Sequence, residues 1–279
     1  MSDLDLSDLL DDELYHQNTD HISASGLKQL SRAPIYYWDK YLNPNREERT
    51  ETDALRVGKA VHCAALEPKK FSDRYICLPE DINLRTNAGK ATRDEAIASG
   101  KVPLKFEEYN RVTMIAATMQ THESWPAWFT GGHAEYLITW VDEETGVKCK
   151  MRADYLLTPD QGALIGLPQG IIPDLKTCVD LRRFRGDAWK LGYHIQAAFY
   201  RRGYMAEFGC SMPPVFAFGA WEKESPFVGR VFPCGERFMS AGDEEVSKLL
   251  RIYAECLETD KWPAPDGLEF LEPPEWTGR

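Results

Sequence analysis

The stretch Ile171-Ile172-Pro173-Asp174-Leu175-Lys176-Thr177 ends an apolar run with a carboxylate and a lysine two residues apart. A short apolar run of this kind predicts a buried strand. Side chains alternate along a strand, so we expect Asp174 and Lys176 on the same face of a sheet. Such a pair can hold a divalent metal and orient a water beside it, as metal-assisted phosphodiester hydrolysis requires. Taken alone, the two residues favour a solvent-exposed ion pair at a strand end. A catalytic role depends on whether the rest of the chain supplies further site residues.

Composition excludes several classes of protein. The 279 residues carry 33 basic and 44 acidic side chains, a net charge of −11, so the chain is not a general polyanion binder and any basic surface has to be local. The 43% hydrophobic content is enough for a core, and no apolar stretch is long enough to cross a membrane. The seven cysteines form no CxxC pair, which argues against zinc ribbons and clustered iron–sulfur ligation. A reduced, cytoplasmic protein is expected.

The pattern along the chain predicts a helical N-terminal part followed by an α/β region. Residues 1–14 read as an acidic flexible tail and residues 15–279 as a single domain, because no repeat or low-complexity linker divides them. The predicted helices include one capped by Ser23 or Ser25, one opened by Pro34, and others over residues 55–66, 106–122, 187–208 and 246–257. The predicted strands are residues 134–141, 147–157, 171–177, 214–221 and 227–233, and residues 81–101 read as a loop or weak helix.

Three further side chains are candidates for a metal centre beside Asp174. Asp154 lies in the preceding strand, and the two carboxylates converge on one hard cation such as Mg²⁺ if those strands pair. Glu135 starts the first strand of the hairpin and can hold a second ion or the attacking water, although an exposed edge-strand charge is nearly as good an interpretation. His62 follows Gly58 by one turn on an apolar helix face, where a histidine is usually a core residue. The glycine, which is costly inside a helix, indicates close approach of a backbone or ligand.

Polar and basic residues around this centre are candidates for supporting it. Gln196 and Tyr200 lie four apart on a predicted helix, and a buried amide needs a partner such as a phosphate oxygen or Lys176. Packing alone also explains why these two side chains share one face of the helix. Two clusters of basic residues are candidates for binding phosphate, although each is also typical of a solvent-exposed surface: Arg182, Arg183 and Arg185, and Arg85 and Lys90.

With these residues in order, the chain resembles a known nuclease superfamily. The series matches the motifs of the PD-(D/E)xK nucleases, in their RecB-like branch: Gly58-x-x-x-His62, Glu135, Asp154, Asp174-Leu175-Lys176 and Gln196-x-x-x-Tyr200. The flanks resemble the nuclease domain of RecE-type exonucleases (exonuclease VIII) at residues 22–28, 193–204 and 260–263. The likeness runs from about Tyr15 to the C-terminus. In one departure, Pro173 precedes Asp174, whereas the superfamily's named proline precedes the earlier acid, which here follows Ala153.

The resemblance implies a restriction-endonuclease-like fold, a central mixed sheet flanked by helices with a helical N-terminal part. It implies a Mg²⁺-dependent exodeoxyribonuclease, with Mn²⁺ able to substitute, that digests linear double-stranded DNA from the 5′ end and leaves 3′ overhangs for recombination. His62, Asp154, Asp174 and the Leu175 carbonyl would bind metal, while Lys176 would orient and help deprotonate the attacking water. Glu135 would hold a second ion or that water, Gln196 and Tyr200 would support the site and the scissile phosphate, and Ser25 would contact DNA.

The resemblance also implies a biological setting. Members of this group are phage or prophage proteins that act in the bacterial cytoplasm beside a RecT-like single-strand annealing protein. They form a ring-shaped tetramer around DNA. Two alternatives remain open from the sequence: a structure-selective or site-specific endonuclease on the same core, and a catalytically silent DNA-binding module.

Overall fold

A computed structural model describes residues 12–46, 52–123 and 125–267 of the chain. Its helices are α1 (Asp12–Gln17), α2 (Ala24–Leu30), α3 (Pro34–Tyr37) with a π-helix at Trp38–Leu42, α4 (Asp53–Leu66), α5 (Pro68–Arg74), α6 (Asn87–Ala98), α7 (Phe106–Gln120), α8 (Trp125–Trp128), α9 (Pro159–Ala163), α10 (Phe184–Lys190), α11 (Tyr193–Phe208) and α12 (Glu236–Thr259). Its strands are β1 (Tyr75–Cys77), β2 (Val102–Leu104), β3 (His133–Val141), β4 (Lys148–Leu156), β5 (Ile171–Cys178), β6 (Val215–Glu222) and β7 (Gly229–Pro233).

Local capping signals set the N-terminal helices where the sequence predicts them. The Ser23 hydroxyl accepts the Gly26 N–H at 3.3 Å and starts α2, so Ser23 rather than Ser25 is the cap. Helix α4 starts after Thr52 and ends before Pro68, which in turn opens α5. The predicted tail over residues 1–14 overlaps the start of α1, and residues 1–11 lie outside the described residues.

The strands form three small sheets. β3 and β4 make the predicted antiparallel hairpin, and β6 pairs with β5 in parallel and with β7 antiparallel, so the larger sheet is mixed. β1 pairs with β2 in parallel. No ladder joins β4 to β5: within the described residues, one antiparallel bridge links Leu157, just after β4, to Ile171. Continuing the register of that bridge still places Asp174 opposite Asp154.

One sequence prediction about helices is wrong in detail. The helix predicted over residues 187–208 is divided into α10 and α11, because Gly192 adopts a left-handed conformation with φ of 66°. Glycine takes this conformation without steric cost, and the chain turns there. Within the stretch read as a loop or weak helix, residues 87–98 form α6, capped by the Thr86 hydroxyl. Gly209 ends α11 in the same left-handed conformation.

The core lies on both faces of the β5–β6 pair. Ile172, Phe216 and Phe218 pack in the main cluster with residues of α2, α11 and α12. Leu175 and Trp221 pack in a second cluster with α4 and α7. Alternation along β5 therefore places Asp174 and Lys176 on the face of Ile172, toward α11. None of the described helices has both the length and the apolar character to cross a membrane.

Candidate metal centre

Three side chains from separate elements converge at one end of the β3–β4 hairpin. His62 comes from α4, Glu135 from β3 and Asp154 from β4, and each offers a donor atom such that all three lie within 4.8 Å of one another. The spacing fits ligands of a single ion, since metal–oxygen and metal–nitrogen bonds of about 2.0–2.2 Å separate opposite ligands by about twice that length. The structure thus brings together the histidine and two of the three acids of the motif series, Glu135 and Asp154.

Glu135 has an unusual backbone. Its φ is 50°, in the left-handed region that a non-glycine residue rarely adopts, although the residue lies within β3. The β3–β4 register pairs Ala134 with Tyr155 and Tyr136 with Ala153, which leaves Glu135 opposite Asp154. Strained backbone of this kind is concentrated at functional sites. Burial, with the Asp154 charge adding to it, raises the pKa of Glu135 to about 7 even though Arg152 Nε lies 3.1 Å from its Oε2.

Asp154 is held as an anion by three neighbours. Its Oδ2 accepts the Leu175 N–H at 2.8 Å and lies 3.4 Å from His62 Nδ1. Burial favours the neutral acid, but His62, Lys176 and the Leu175 amide outweigh it and lower the pKa of Asp154 to about 2. Burial likewise favours neutral His62, yet Asp154 raises the pKa of the imidazole above its ordinary value. The side chain of Asp154 thus joins β4 to β5 where the backbone ladder is missing.

Asp174 and Lys176 form the ion pair that alternation along β5 predicts. Lys176 Nζ contacts Asp174 Oδ1, and the Asp174 side chain is 2% exposed. Asp174 Oδ2 accepts the Gln196 Nε2–H at 2.6 Å. Burial raises the pKa of Asp174, whereas Asp174 and Asp154 together overcome the burial of Lys176 and raise the pKa of its ammonium. The rings of Tyr193 and Phe218 lie 5.2 and 5.7 Å from Lys176 Nζ.

Lys28 is a member of this network that the sequence predictions missed. Its Nζ donates to Gln196 Oε1 at 2.9 Å, so the amide is fixed with its nitrogen toward Asp174. Burial and the nearby Lys176 charge lower the pKa of Lys28 to about 7. Its position in the segment over residues 22–28, already notable for its likeness to RecE-type domains, was the available signal. The sequence separation of 168 between Lys28 and Gln196 hid the contact.

Tyr200 and Arg152 form the floor beside Glu135. The Tyr200 hydroxyl donates to the Arg152 carbonyl at 3.0 Å, and burial raises the pKa of this phenol well above its ordinary value. Arg152 lies two residues before Asp154, so both face the same side of β4. That spacing was the signal for Arg152, which the sequence predictions did not include. Ser25 is exposed at the rim of the same cavity, at the start of α2.

A cleft of about 870 Å³ contains this site. Its lining includes His62, Glu135 and Asp154, and it carries five lysines and arginines against three carboxylates. Among the described residues, the five basic side chains predicted to bind phosphate do not line this cleft: Arg85, Lys90, Arg182, Arg183 and Arg185. Their role in binding DNA stays a prediction. The cleft obtains its positive charge from other residues, which are Lys59, Lys70, Arg74, Lys150 and Arg152.

Comparison with known proteins gives the family. Residues 23–269 match the model of a PDDEXK-like domain of unknown function, DUF3799. This chain belongs to the DUF3799 family. A crystal structure named "Putative exonuclease" from Eubacterium rectale is similar in fold, with a TM-score of 0.58 at 16% identity over 96% of this chain and 97% of that one. A structure named SSO0001 has a TM-score of 0.33 at 12% identity, over 88% of this chain and 84% of that one, too low to indicate a shared fold. Among curated proteins no sequence matches.

Family membership and the mixed sheet flanked by helices confirm the predicted PD-(D/E)xK fold class for this DUF3799 chain. The RecE-type branch stays a prediction. The residues present also fit a divalent metal. The carboxylates of Glu135 and Asp154 with the imidazole of His62 suit Mg²⁺ or Mn²⁺. Asp174 lies outside that three-residue cluster, so metal ligation by Asp174 and by the Leu175 carbonyl stays a prediction.

Proposed function

We propose that this DUF3799 protein is a metal-dependent exodeoxyribonuclease that digests one strand of linear double-stranded DNA from the 5′ end. The observation that carries the proposal is the cluster of His62, Glu135 and Asp154, next to the Asp174–Lys176 pair, in a cleft that carries five lysines and arginines against three carboxylates. Membership in a PDDEXK-like family supports a nuclease, and the name of the Eubacterium rectale structure favours an exonuclease. The 5′ polarity and the 3′ overhang rest on the likeness to RecE-type domains.

The residues at the site have distinct parts in this proposal. His62, Glu135 and Asp154 would hold the metal, and Asp174 would complete its oxygen ligands. A divalent ion bound there supplies a water of lowered pKa and neutralises charge on the phosphate. Arg152 pairs with Glu135 and would balance part of the negative charge beside the metal.

Lys176 and the groups behind it position charge at the scissile phosphate. The ammonium of Lys176 donates hydrogen bonds to the attacking water and to the phosphate oxygens, whose negative charge increases in the transition state. Asp174 holds that ammonium, and Gln196 holds Asp174 through the hydrogen bond of 2.6 Å. Tyr200 supports the strand end through the Arg152 carbonyl. With charges positioned in this way, the phosphodiester would be hydrolysed without a covalent intermediate between protein and DNA.

The proposal includes the setting that the sequence resemblance implies. The protein would act on DNA ends as a ring-shaped tetramer beside a RecT-like single-strand annealing protein. Its origin would be a phage or prophage and its place of action the bacterial cytoplasm. These parts rest on the resemblance alone, and light scattering of the free and DNA-bound protein tests the tetramer.

An end-labelled digestion assay tests the activity and its polarity together. A linear duplex labelled at one 5′ end is incubated with the protein and Mg²⁺ or Mn²⁺, in parallel with covalently closed circular DNA. We expect early release of labelled mononucleotides and an intact circle. Asp154→Asn should abolish release, while Glu244→Gln, which removes an exposed carboxylate on α12, should match the wild type.

Other outcomes of the assay contradict the proposal in different ways. Release that begins at the 3′ end reverses the polarity, and rapid cutting of the closed circle favours the endonuclease alternative. Binding of DNA without cleavage in either metal favours the catalytically silent module. Equal activity in Asp154→Asn would remove the proposed metal centre.

A further inference from the structure

Two lysines of the site share one aromatic ring. The Nζ atom of Lys28 lies 4.9 Å from the centre of the Tyr193 ring, and the Nζ atom of Lys176 lies 5.2 Å from it. Both distances are within the range of about 6 Å over which the negative face of an aromatic ring attracts an ammonium. The ring therefore contacts both cationic ends of the polar chain that Gln196 and Asp174 complete.

The backbone and the core hold this ring in place. Gly192, in its left-handed conformation, separates α10 from α11 and makes Tyr193 the first residue of α11. A Cβ at Gly192 would lie 3.3 Å from Cγ of Lys28, so the glycine also leaves room for the lysine stem. The Tyr193 ring stacks on Phe218 with 5.1 Å between the ring centres, and the Phe184 ring lies 6.1 Å away. Packing within the protein therefore sets the orientation of the ring.

The ion pair with Asp174 does not fix the position of the Lys176 ammonium by itself. A lysine ammonium is a compact charge on a flexible four-carbon stem, with three donors that rotate. Within the described residues, Asp174 is the only carboxylate paired with Lys176. The rings of Tyr193 and Phe218 lie 5.2 and 5.7 Å from the same nitrogen. The carboxylate and the two rings together restrict the ammonium to fewer positions than the carboxylate alone allows.

We propose that Tyr193 is a positioning residue that holds the ammonium of Lys176 through the electron-rich face of its ring. The proposal rests on the proposed nuclease function, in which Lys176 acts on the attacking water and the phosphate. The alternative is a ring that only fills space between α11 and β6. The two roles differ in one physical property, because filling space depends on the shape of the ring, whereas attraction of an ammonium depends on the charge distribution over its face.

A series of fluorinated phenylalanines at position 193 separates the two roles. Fluorine withdraws electrons from the face of the ring and changes its shape little, so each added fluorine weakens the attraction of an ammonium. We expect Tyr193→Phe to keep the wild-type single-turnover rate of duplex digestion. The mono-, di- and trifluorinated rings should lower this rate in steps to about one fifth, and Tyr193→Leu should lower it about tenfold. The affinities for the duplex and for Mn²⁺ should stay at the wild-type values throughout.

Tyr36 provides the matched control. Arg32 Cζ lies 3.9 Å from the centre of the Tyr36 ring, so this pair is also a cation over an aromatic face. Tyr36 is 38% exposed and does not belong to the described lining of the cleft. The same fluorinated series at position 36 should leave the single-turnover rate at the wild-type value. A loss as large as the one at position 193 means that fluorination acts on the protein as a whole, which overturns the proposal.

Other results at position 193 decide against the proposal in different ways. Equal rates across the fluorinated series mean that the ring only fills space. A loss in Tyr193→Phe as large as the loss in Tyr193→Leu assigns the effect to the hydroxyl group. A loss of Mn²⁺ affinity that parallels the loss of rate means that the ring acts on the metal centre. Each of these three results overturns positioning of Lys176 by the face of the ring.

A wild type that hydrolyses no DNA removes the nuclease function, and protein stability then decides the contact. Urea unfolding of Tyr193→Leu, Lys176→Met and the double variant measures the coupling between the ring and the ammonium. We expect the effect of the double variant on the unfolding equilibrium constant to differ by about fivefold from the product of the two single effects. Such a difference upholds the contact between Tyr193 and Lys176, and agreement with the product overturns it.

Discussion

The ion pair between Lys176 and Asp174 should contribute more to the free energy of unfolding than a solvent-exposed ion pair does. Asp174 is 2% exposed and Lys176 is 19% exposed, so water can hydrate Lys176 only in part and Asp174 hardly at all. Removing one member of a buried pair typically costs about 3–5 kcal/mol, because the other charge is left without compensation. In Lys176→Met, Gln196 still donates to Asp174 Oδ2, and burial has already raised the pKa of Asp174, which lets the carboxyl take up a proton. We therefore expect the lower end of that range.

A loss of about 3 kcal/mol lowers Tm by roughly 6–12 °C in a chain of this size. Urea unfolding at pH 7 with EDTA measures it without bound metal. Adding Asp174→Asn to Lys176→Met should restore most of the lost stability, because replacing both charges of a buried pair is often nearly neutral. The coupling free energy from this double-mutant cycle should reach about 2 kcal/mol.

Lys248→Met is the control for loss of an ordinary ion pair. Lys248 is 64% exposed and lies 3.7 Å from Glu245 on α12, so its removal should change the unfolding free energy by no more than about 0.5 kcal/mol. If Lys176→Met costs no more than this control, or if the two substitutions at the pair are additive, Asp174 is not an uncompensated buried charge. The electrostatic reasoning about the site then fails.

Three further predictions concern neighbouring groups. The pKa of Glu135 in the folded protein, about 7, lies above its ordinary 4.5, so ionisation of this carboxyl lowers the free energy of unfolding as pH rises between these values. Glu135→Gln should therefore raise Tm of the metal-free protein at pH 8 and leave it unchanged at pH 4. Thermal scans that show equal differences at both pH values would contradict this. Asp154→Asn should weaken Mn²⁺ binding by at least about 100-fold in calorimetry, and wild-type affinity would remove Asp154 from the centre. Lys28→Met should lower kcat on DNA by about tenfold with little change in KM, with partial rescue by Lys28→Arg, and an unchanged kcat would show that Gln196 needs no orienting partner.

Strand periodicity predicted the part of the site that is local in sequence. Alternation along β5 placed Asp174 and Lys176 together, and the ion pair confirms it. Glu135 and Asp154 were each placed on their strands, and the turn at residues 142–146 then set the register that puts them opposite each other. The contact between His62 and Asp154 needed the order of motifs as well, because periodicity on α4 alone favours a core histidine.

Nonlocal geometry accounts for what the sequence could not predict. One apolar pattern spans residues 187–208, and a single left-handed glycine at 192 divides it without interrupting that pattern. The sequence leaves the pairing of β4 with β5 open, and in the structure a hydrogen bond from the Leu175 N–H to the Asp154 carboxylate joins these strands. Basic residues were sought next to the acidic motif in sequence, whereas Lys59 and Arg74 reach the cleft from α4 and α5.

The arrangement around Asp174 explains why a buried polar chain is compatible with a stable core. Lys28, Gln196, Asp174 and Lys176 are each a group that burial disfavours, but each touches the next, so no full charge is left isolated. The cost appears as shifted pKa values: burial and the Lys176 charge lower the pKa of Lys28 to about 7, and burial raises the pKa of Asp174. A ligand that brings positive charge to Asp174 and negative charge to Lys176 and Lys28 would relieve both costs together. A metal ion with a bound phosphate is such a ligand, so the residual strain of the free site points to the same chemistry as its geometry.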